Sequence, residues 1–207
     1  MERAGSDHYF SARPAVASRP RTVRLVLDDL DRLVTLRTDA GVFAADGIDP
    51  GTRLLLDTGA TPPPGGTTLV DVGCGYGPIA VALALRAPEA TVWAVDVNVR
   101  ALELTRRNAE AAGVGDRVRV VAPDDVPVGL VVDAIWSNPP VRVGKASLHA
   151  LLETWLGRLT PDGAAHLVVA RNLGADSLAR WLADQGHEVT RRASRRGYRL
   201  LDVTPPP

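Results

Sequence analysis

Three glycines at alternate positions, Gly73, Gly75 and Gly77, follow directly on a short apolar segment, residues 69–72. A strand that enters a glycine-rich turn and leaves as a helix directs backbone N–H groups at whatever lies above the turn. This pattern predicts a site for a nucleotide-like cofactor. The alternative is a plain strand-to-helix turn without a ligand, but such a turn needs one glycine rather than three.

The residues around the glycines indicate which cofactor this site would take. The dinucleotide fingerprint G-x-G-x-x-G requires a third glycine at position 78, where this chain has Pro78. Asp71, at the end of the predicted strand, would repel a negatively charged pyrophosphate. The same carboxylate would attract the sulfonium and α-ammonium groups of S-adenosylmethionine. The residues therefore favour S-adenosylmethionine over NAD.

Polar side chains also follow the next three predicted strands. Asp96 comes about 20 residues after Gly73, which is the offset expected of an acid that binds ribose hydroxyls. Asp124 follows the third strand and is placed for an adenine amino group, and Asn138 follows the fourth. Ligands of open α/β sheets bind outside the carboxyl ends of the strands. We therefore expect these side chains to surround the cofactor.

The turn Asn138-Pro139-Pro140 suggests the reaction. Its two prolines lack N–H groups, so it offers two acceptors, the amide oxygen of Asn138 and the carbonyl of Pro139. Two acceptors suit a planar –NH2 group and would orient its lone pair for attack on a sulfonium methyl. We assign all three residues as catalytic, although Asn-Pro is also common in plain turns. Arg142 and Lys145 are candidate substrate phosphate contacts or simply solvated charges.

Strand and helix patterns alternate from residue 67 onward, which predicts a parallel sheet covered on both faces. The proline-rich segment 62–66 marks a boundary between an N-terminal tail with a small β-hairpin and helix, residues 1–66, and a cofactor-binding domain, residues 67–207. The main strands are predicted at 69–72, 91–95, 117–121, 131–136 and 165–170, with a final hairpin at 188–193 and 198–203. Helices are predicted at 50–56, at 79–86, from Asn98 to about Ala112, after a cap at Ser147, and around residues 178–182.

The charge balance excludes a strong overall attraction to nucleic acid. Lys+Arg and Asp+Glu both count 24, so RNA contacts would need a local basic patch. The predicted C-terminal hairpin offers one, formed by Arg191, Arg192, Arg195, Arg196 and Arg199. Arginines on an exposed edge strand also protect against aggregation, and both interpretations stay open.

The remaining composition predicts a soluble cytoplasmic protein without a metal. Cys74 is the only cysteine, so no disulfide can form within the chain. There is no apolar run long enough to span a bilayer, and residues 1–13 lack a hydrophobic signal core. The four histidines are dispersed without metal-ligand spacing. The aromatic cluster at residues 7–10 is a candidate anchor for the tail.

Residues 71–77 resemble the cofactor motif of class I S-adenosylmethionine-dependent methyltransferases, and residues 138–140 resemble the N-P-P signature of nitrogen methylating enzymes. Residues 41–43, 49–52 and 75–78 are similar to the small-domain methyltransferases, which include the small-subunit rRNA guanine-N2 enzyme. The resemblance implies S-adenosyl-L-methionine and a Rossmann-like α/β fold, with a seven-stranded, mostly parallel sheet whose last strand is antiparallel. The implied cofactor-binding residues are Phe43, Asp71, Gly73, Cys74, Gly75, Tyr76, Gly77, Asp96, Val97, Asn98, Asp124 and Asn138.

The resemblance further implies methylation of a guanine N2 amine in small-subunit ribosomal RNA, with ribosomal RNA or the subunit as partner. Two alternatives stay open: a glutamine-amide methyltransferase acting on a protein, and a cofactor-binding rRNA assembly factor without turnover. The residue after the prolines is often an aromatic that stacks on the target base. Here it is Val141, which cannot stack. The target nucleotide and the oligomeric state are not predicted.

Overall fold

The computed structural model of the chain describes Ala12 and residues 14–206, so the predicted aromatic anchor at residues 7–10 lies outside the described residues. The helices and strands are β1 (Arg21–Leu27), β2 (Arg32–Thr38), α1 (Pro50–Thr58), β3 (Thr68–Val72), α2 (Pro78–Arg86), β4 (Thr91–Val95), α3 (Val99–Ala111), β5 (Val118–Val121), β6 (Val132–Ser137), α4 (Lys145–Leu156), β7 (Leu159–Ala170), α5 (Ala175–Asp184), β8 (Glu188–Arg195) and β9 (Tyr198–Thr204).

Seven strands form the main sheet in the order β5-β4-β3-β6-β7-β9-β8. Strands β3 to β7 run parallel to one another. Strand β9 inserts between β7 and β8 and runs antiparallel to both. The predicted Rossmann-like, mostly parallel sheet is therefore confirmed. The strand order reverses at β3, and a crevice for a ligand is expected above its carboxyl end.

Hydrophobic clusters cover both faces of this sheet. Helices α1, α2 and α3 pack on one face, and α4 and α5 pack on the other. Helix α2 is buried continuously from Pro78 to Ala84, as expected of a helix whose sequence is apolar on all sides. Burial of both faces explains why β3 and β4 are almost uninterrupted apolar runs.

A separate two-stranded sheet, β1 with β2, precedes the main sheet. Alternate residues of both strands are buried, as a half-buried hairpin requires. Leu25 and Leu36 join the same hydrophobic cluster as residues of α2 and α3. The domain boundary at residue 66 stays a prediction, and side chains from both sides of it pack together.

Two elements begin elsewhere than the sequence predicts. Helix α4 begins at Lys145 after Gly144, which has φ of +96°, and not after a cap at Ser147. Strand β7 begins at Leu159, because it shifts register between its pairings with Val132 and Ala134 and so carries the turn-like segment 161–163 within the strand. A bulge of this kind absorbs proline and glycine without ending the ladder.

Candidate active site

A cavity of about 370 Å³ lies at the carboxyl edge of the sheet, at the point where the strand order reverses. Its walls come from the ends of β3, β4, β6 and β7, the loop before α1, and the start of β9. The structure brings the following predicted site residues together in its lining: Phe43, Gly73, Gly75, Asp96, Val97, Asn98, Asn138, Pro139, Pro140 and Arg142. Residues from distant parts of the chain that were predicted to form the site thus lie around one cavity.

The glycine loop after β3 is bound to the end of the neighbouring strand. The N–H groups of Gly73 and Cys74 both donate to the carbonyl oxygen of Val95, at 2.8 and 3.0 Å. The N–H of Gly75 donates to Oδ2 of Asp96 at 2.9 Å. The expectation that these amides point at a ligand is therefore wrong, because β4 uses them. They form no nest for a pyrophosphate, which agrees with a cofactor that lacks phosphate.

The last glycine of the loop connects the turn to α2. Gly77 is the N-cap of α2 with φ of +89°, and its N–H donates to the carbonyl of Cys74 at 2.9 Å. A Cβ at this position would lie 2.9 Å from the Thr105 side chain. The hydroxyl of Thr105 donates to the carbonyl of Gly75 at 2.9 Å. Gly77 therefore serves close packing of the loop against α3 and does not line the cavity.

Three other residues predicted to bind the cofactor have buried side chains that lie outside the lining of the cavity. Asp71 is fully buried and accepts a hydrogen bond from the N–H of Ala80 at 2.9 Å. Its Oδ1 has no hydrogen-bond partner among the described residues. Burial, with a contribution from Asp96, raises the pKa of Asp71 to about 8. Cys74 is also buried. The hydroxyl of buried Tyr76 donates to the backbone carbonyl of Gly47, in the loop before α1, at 3.0 Å.

The carboxylate of Asp96 lies at the wall of the cavity, at the end of β4. Its two oxygens each accept one backbone N–H, from Gly75 at 2.9 Å and from Asn98 at 2.8 Å. Burial raises the pKa of Asp96 despite these hydrogen bonds. Each carboxylate oxygen can accept a further hydrogen bond. Asn98 itself caps α3 through its side chain and anchors the loop at Gly41.

The amide of Asn138 has a defined orientation. Its Nδ2 donates to Oδ2 of Asp49 at 2.8 Å and to Oγ1 of Thr52 at 3.1 Å. The described residues provide no donor to its Oδ1, which is left as an acceptor. Asp49 also lines the cavity. Sequence reasoning identified residues 49–52 as a helix cap and missed their link to Asn138.

Tyr198 is a second lining residue that sequence reasoning missed, because it assigned this tyrosine to the C-terminal hairpin. Its ring packs on the first turn of α1, where a Cβ at Gly51 would lie 2.7 Å from a ring carbon. Burial and the neighbouring Asp49 carboxylate raise the pKa of Tyr198. The absence of a side chain at Gly51 is the one sequence signal for this close approach.

The remaining predicted residues lie at or beyond the mouth. Asp124 and Lys145 are exposed and lie outside the lining of the cavity. Their assignments to adenine and to substrate phosphate stay predictions. Arg142 is exposed but lines the cavity, and Phe43 and Val97 are both 44% exposed beside it. The described residues include no group of three or more histidine, cysteine or acidic side chains that could hold a metal ion.

Sheet order, glycine loop and cavity together define a class of protein. The cavity has two carboxylates and apolar walls, and its glycine loop has no amide nest, which fits a positively charged nucleoside without phosphate. The fold and site are those of an S-adenosylmethionine-dependent methyltransferase.

The chain belongs to the methyltransferase small domain family, whose sequence model matches residues 33–202. It is 36% identical over 199 residues to the uncharacterized protein YbxB of Bacillus subtilis, covering 95% of this chain and 97% of that one. It is 37% identical over 158 residues to ribosomal RNA small subunit methyltransferase C of Hahella chejuensis, covering 74% of this chain and 45% of that one. The chain thus spans nearly all of YbxB and about half of the second relative.

The solved structures agree on the fold. The 16S rRNA N2 methyltransferase RsmC of T. thermophilus, in complex with AdoMet and guanosine, superimposes with a TM-score of 0.74 at 23% identity. The match covers 92% of this chain and 52% of RsmC. No helix among residues 14–206 is both long and apolar enough to cross a membrane.

Proposed function

We propose that this enzyme methylates the exocyclic N2 amine of a guanine in small-subunit ribosomal RNA. The observation that carries the proposal is the orientation of Asn138. Its amide nitrogen is occupied by Asp49 and Thr52, so its oxygen is the atom left to accept a hydrogen from the substrate. Names of similar proteins support the class of substrate, since RsmC proteins are ribosomal RNA methyltransferases.

Within the cavity, Asp96 would accept hydrogen bonds from the ribose hydroxyls of the cofactor. Gly73 and Gly75 line the cavity, and a Cβ on either would meet no atom closer than 3.8 Å, which leaves room above the loop. Phe43 and Val97 add apolar surface. S-adenosylmethionine supplies a methyl group bound to a positively charged sulfur, which is the electrophile of the reaction.

The acceptor turn would act by orientation and electrostatics. Oδ1 of Asn138 and the carbonyl of Pro139 accept the two hydrogens of the guanine amine and hold its nitrogen toward the methyl group. The nitrogen forms a bond to the methyl carbon as the carbon–sulfur bond breaks, and that electron pair goes to sulfur. The amine then loses one proton to water. No strongly basic residue is needed for this sequence.

A protein substrate is the second candidate, and a glutamine amide would suit the same pair of acceptors. A protein substrate is supported by one similarity: ribosomal protein L11 methyltransferase of Vibrio cholerae is 32% identical to this chain over 151 residues. That match covers 50% of the Vibrio protein. Product analysis, described below, separates the two candidates.

RNA docking would use part of the arginine-rich hairpin formed by β8 and β9. Arg192 is bound to Asp202, and Arg199 is bound to Asp176. The other three arginines are exposed and make no ion pair with any described residue: Arg191, Arg195 and Arg196. The docking surface proposed from the sequence is thus reduced to these three, together with Arg142 at the cavity mouth.

The salt dependence of RNA binding tests this docking surface. Changing Arg191, Arg195 and Arg196 to serine should reduce the dependence of RNA affinity on salt concentration. The slope of log affinity against log salt should fall by roughly one unit or less per arginine, because binding with fewer phosphate contacts releases fewer counterions. Changing the ion-paired Arg192 to serine is the matched control and should alter the slope least. Unchanged RNA affinity in the triple variant, with increased aggregation, would assign these arginines to protection of the edge strand instead.

Methyl transfer tests the proposed reaction directly. Purified enzyme and S-adenosylmethionine with a labelled methyl group are incubated with small ribosomal subunits from cells that lack the gene. Label should enter the RNA, and Asn138→Ala should abolish transfer while calorimetry finds nearly unchanged cofactor affinity. Label in protein would instead support the glutamine-amide alternative, and full activity of Asn138→Ala would exclude the acceptor role of this amide.

A further inference from the structure

We propose that Asp49 is a positioning residue that determines which end of the Asn138 amide faces the substrate. The inference rests on the proposed function, in which the oxygen of Asn138 accepts a hydrogen from the amine. Asp49 precedes α1, whereas Asn138 follows β6, and 89 positions separate them in the sequence. The fold brings the two side chains within 2.8 Å of each other at the wall of the cavity.

The chemistry of the two side chains determines the orientation. An ionised carboxylate only accepts hydrogen bonds, whereas an amide has one end that donates and one that accepts. A flipped Asn138 would bring its oxygen against Oδ2 of Asp49, which exchanges a charge-assisted hydrogen bond for repulsion between two acceptors. Thr52 cannot fix the orientation alone, because its hydroxyl can rotate to donate or accept. The carboxylate therefore selects the orientation.

Asp49 is itself held in place. Its Oδ2 also accepts from the N–H groups of Gly51 at 2.8 Å and Thr52 at 3.1 Å, in the N-cap geometry of α1. The ring of Tyr198 covers this turn on the side where Gly51 lacks a side chain. Because the Asp49 carboxylate is hydrogen-bonded to the N-terminus of α1 and the Tyr198 ring packs on the same turn, it holds the Asn138 amide in a fixed position. Its position has to be accurate, because misplacing a reacting group by about 1 Å can reduce the rate by about 100-fold.

The fixed orientation has a consequence for the substrate. With its nitrogen turned to Asp49, Asn138 presents only an acceptor to the cavity. The carbonyl of Pro139 accepts the N–H of Val141 at 2.8 Å and can accept one further hydrogen through its second lone pair. A group with two N–H donors satisfies both, whereas a hydroxyl has one donor and a ring nitrogen has at most one. Asp49 thereby makes the site selective for a primary amine or amide, and an orientation error at Asn138 would weaken that selectivity.

Replacement of Asp49 by serine separates positioning from helix capping. Serine caps helices about as well as aspartate, so Asp49→Ser should fold with nearly the parent melting temperature. Its hydroxyl can donate or accept and does not select one end of the Asn138 amide, so kcat should fall by roughly 10- to 100-fold, with KM for S-adenosylmethionine unchanged. Asp57→Ser, which removes an exposed carboxylate elsewhere on α1, is the matched control and should keep the parent kcat. A parent-like kcat in Asp49→Ser would overturn the inference.

The conservative variant Asp49→Asn provides the second test. Its side-chain oxygen would take the place of Oδ2, where the N–H groups of Gly51 and Thr52 hold it toward Nδ2 of Asn138. Asp49→Asn should therefore be at least about tenfold more active than Asp49→Ser. Equal losses of kcat in the two variants would count against an orienting oxygen at position 49.

A measurement without substrate distinguishes failure of this inference from failure of the proposed function. In ¹⁵N-labelled protein, the side-chain NH2 of Asn138 should be protected from exchange with water in the parent and should lose protection in Asp49→Ser. If the parent transfers no methyl group to rRNA but these signals behave as stated, the rRNA substrate is wrong and the role of Asp49 stands. If the parent amide exchanges as freely as an exposed one, the role of Asp49 is wrong whatever the substrate.

Discussion

The buried carboxyl group of Asp71 should make the stability of the protein depend on pH. Burial beneath the glycine loop raises its pKa from 3.8 to about 8. Between these values the folded protein holds a proton on Asp71 that the unfolded chain has released. The stabilising contribution is therefore complete below about pH 4 and is lost as pH rises through about 8. One pKa unit corresponds to about 1.4 kcal/mol, so this group should remove about 1.4 kcal/mol of unfolding free energy per pH unit between pH 5 and 7.

The variant Asp71→Asn isolates that contribution. Its amide cannot ionise, yet its oxygen can still accept the N–H of Ala80 that Asp71 accepts now. The difference in unfolding free energy between variant and parent should thus shift in favour of the variant by about 3 kcal/mol from pH 5 to pH 7. Other titrating groups cancel in this difference.

Urea unfolding followed by tryptophan fluorescence, to which the buried Trp136 contributes, would measure this difference at pH 5, 6 and 7. Asp125→Asn, which removes an exposed carboxyl group, is the control and should give a difference that does not change with pH. Parallel stability curves for Asp71→Asn and the parent would refute the argument, because they would mean that Asp71 ionises equally in folded and unfolded protein.

Three further changes test the site. Asp96→Asn should weaken S-adenosylmethionine binding at least about tenfold in calorimetry, because it removes the charge of a part-buried acceptor that also holds Gly75; NAD should not bind tightly to the parent. Gly77→Ala should lower stability by about 2 kcal/mol in thermal unfolding, because alanine is strained at φ of +89° and would lie against Thr105. Gly51→Ala should reduce the rate of methyl transfer with only a small decrease in melting temperature, because its Cβ would displace the Tyr198 ring at the wall of the cavity.

Local patterns predicted most of the fold and the strand-end residues of the site. Apolar runs followed by glycine or acidic residues located β3 and β4, and Asp96 and Asn138 were found because parallel strands end at one edge. A capping pattern also placed α3 after Asn98. These signals need only neighbours in the sequence, so they are readable without a structure.

The parts that were not predictable depend on contacts between distant segments. The amides of the glycine loop looked free in the sequence, but the carbonyl of Val95 on the adjacent strand accepts two of them. Asp71 ends beneath the loop and outside the lining of the cavity because its side chain turns toward α2. The link between Asp49 and Asn138, and the entry of Tyr198 into the cavity, both require the complete sheet order.

The most direct test of the central claim is the nucleoside composition of small-subunit ribosomal RNA. Mass spectrometry would compare cells that have the gene, cells that lack it, and deleted cells that express either the parent or Asn138→Ala. We expect one N2-methylguanosine to be lost on deletion, to return with the parent and not to return with Asn138→Ala. Unchanged N2-methylguanosine on deletion, or full restoration by Asn138→Ala, would contradict it.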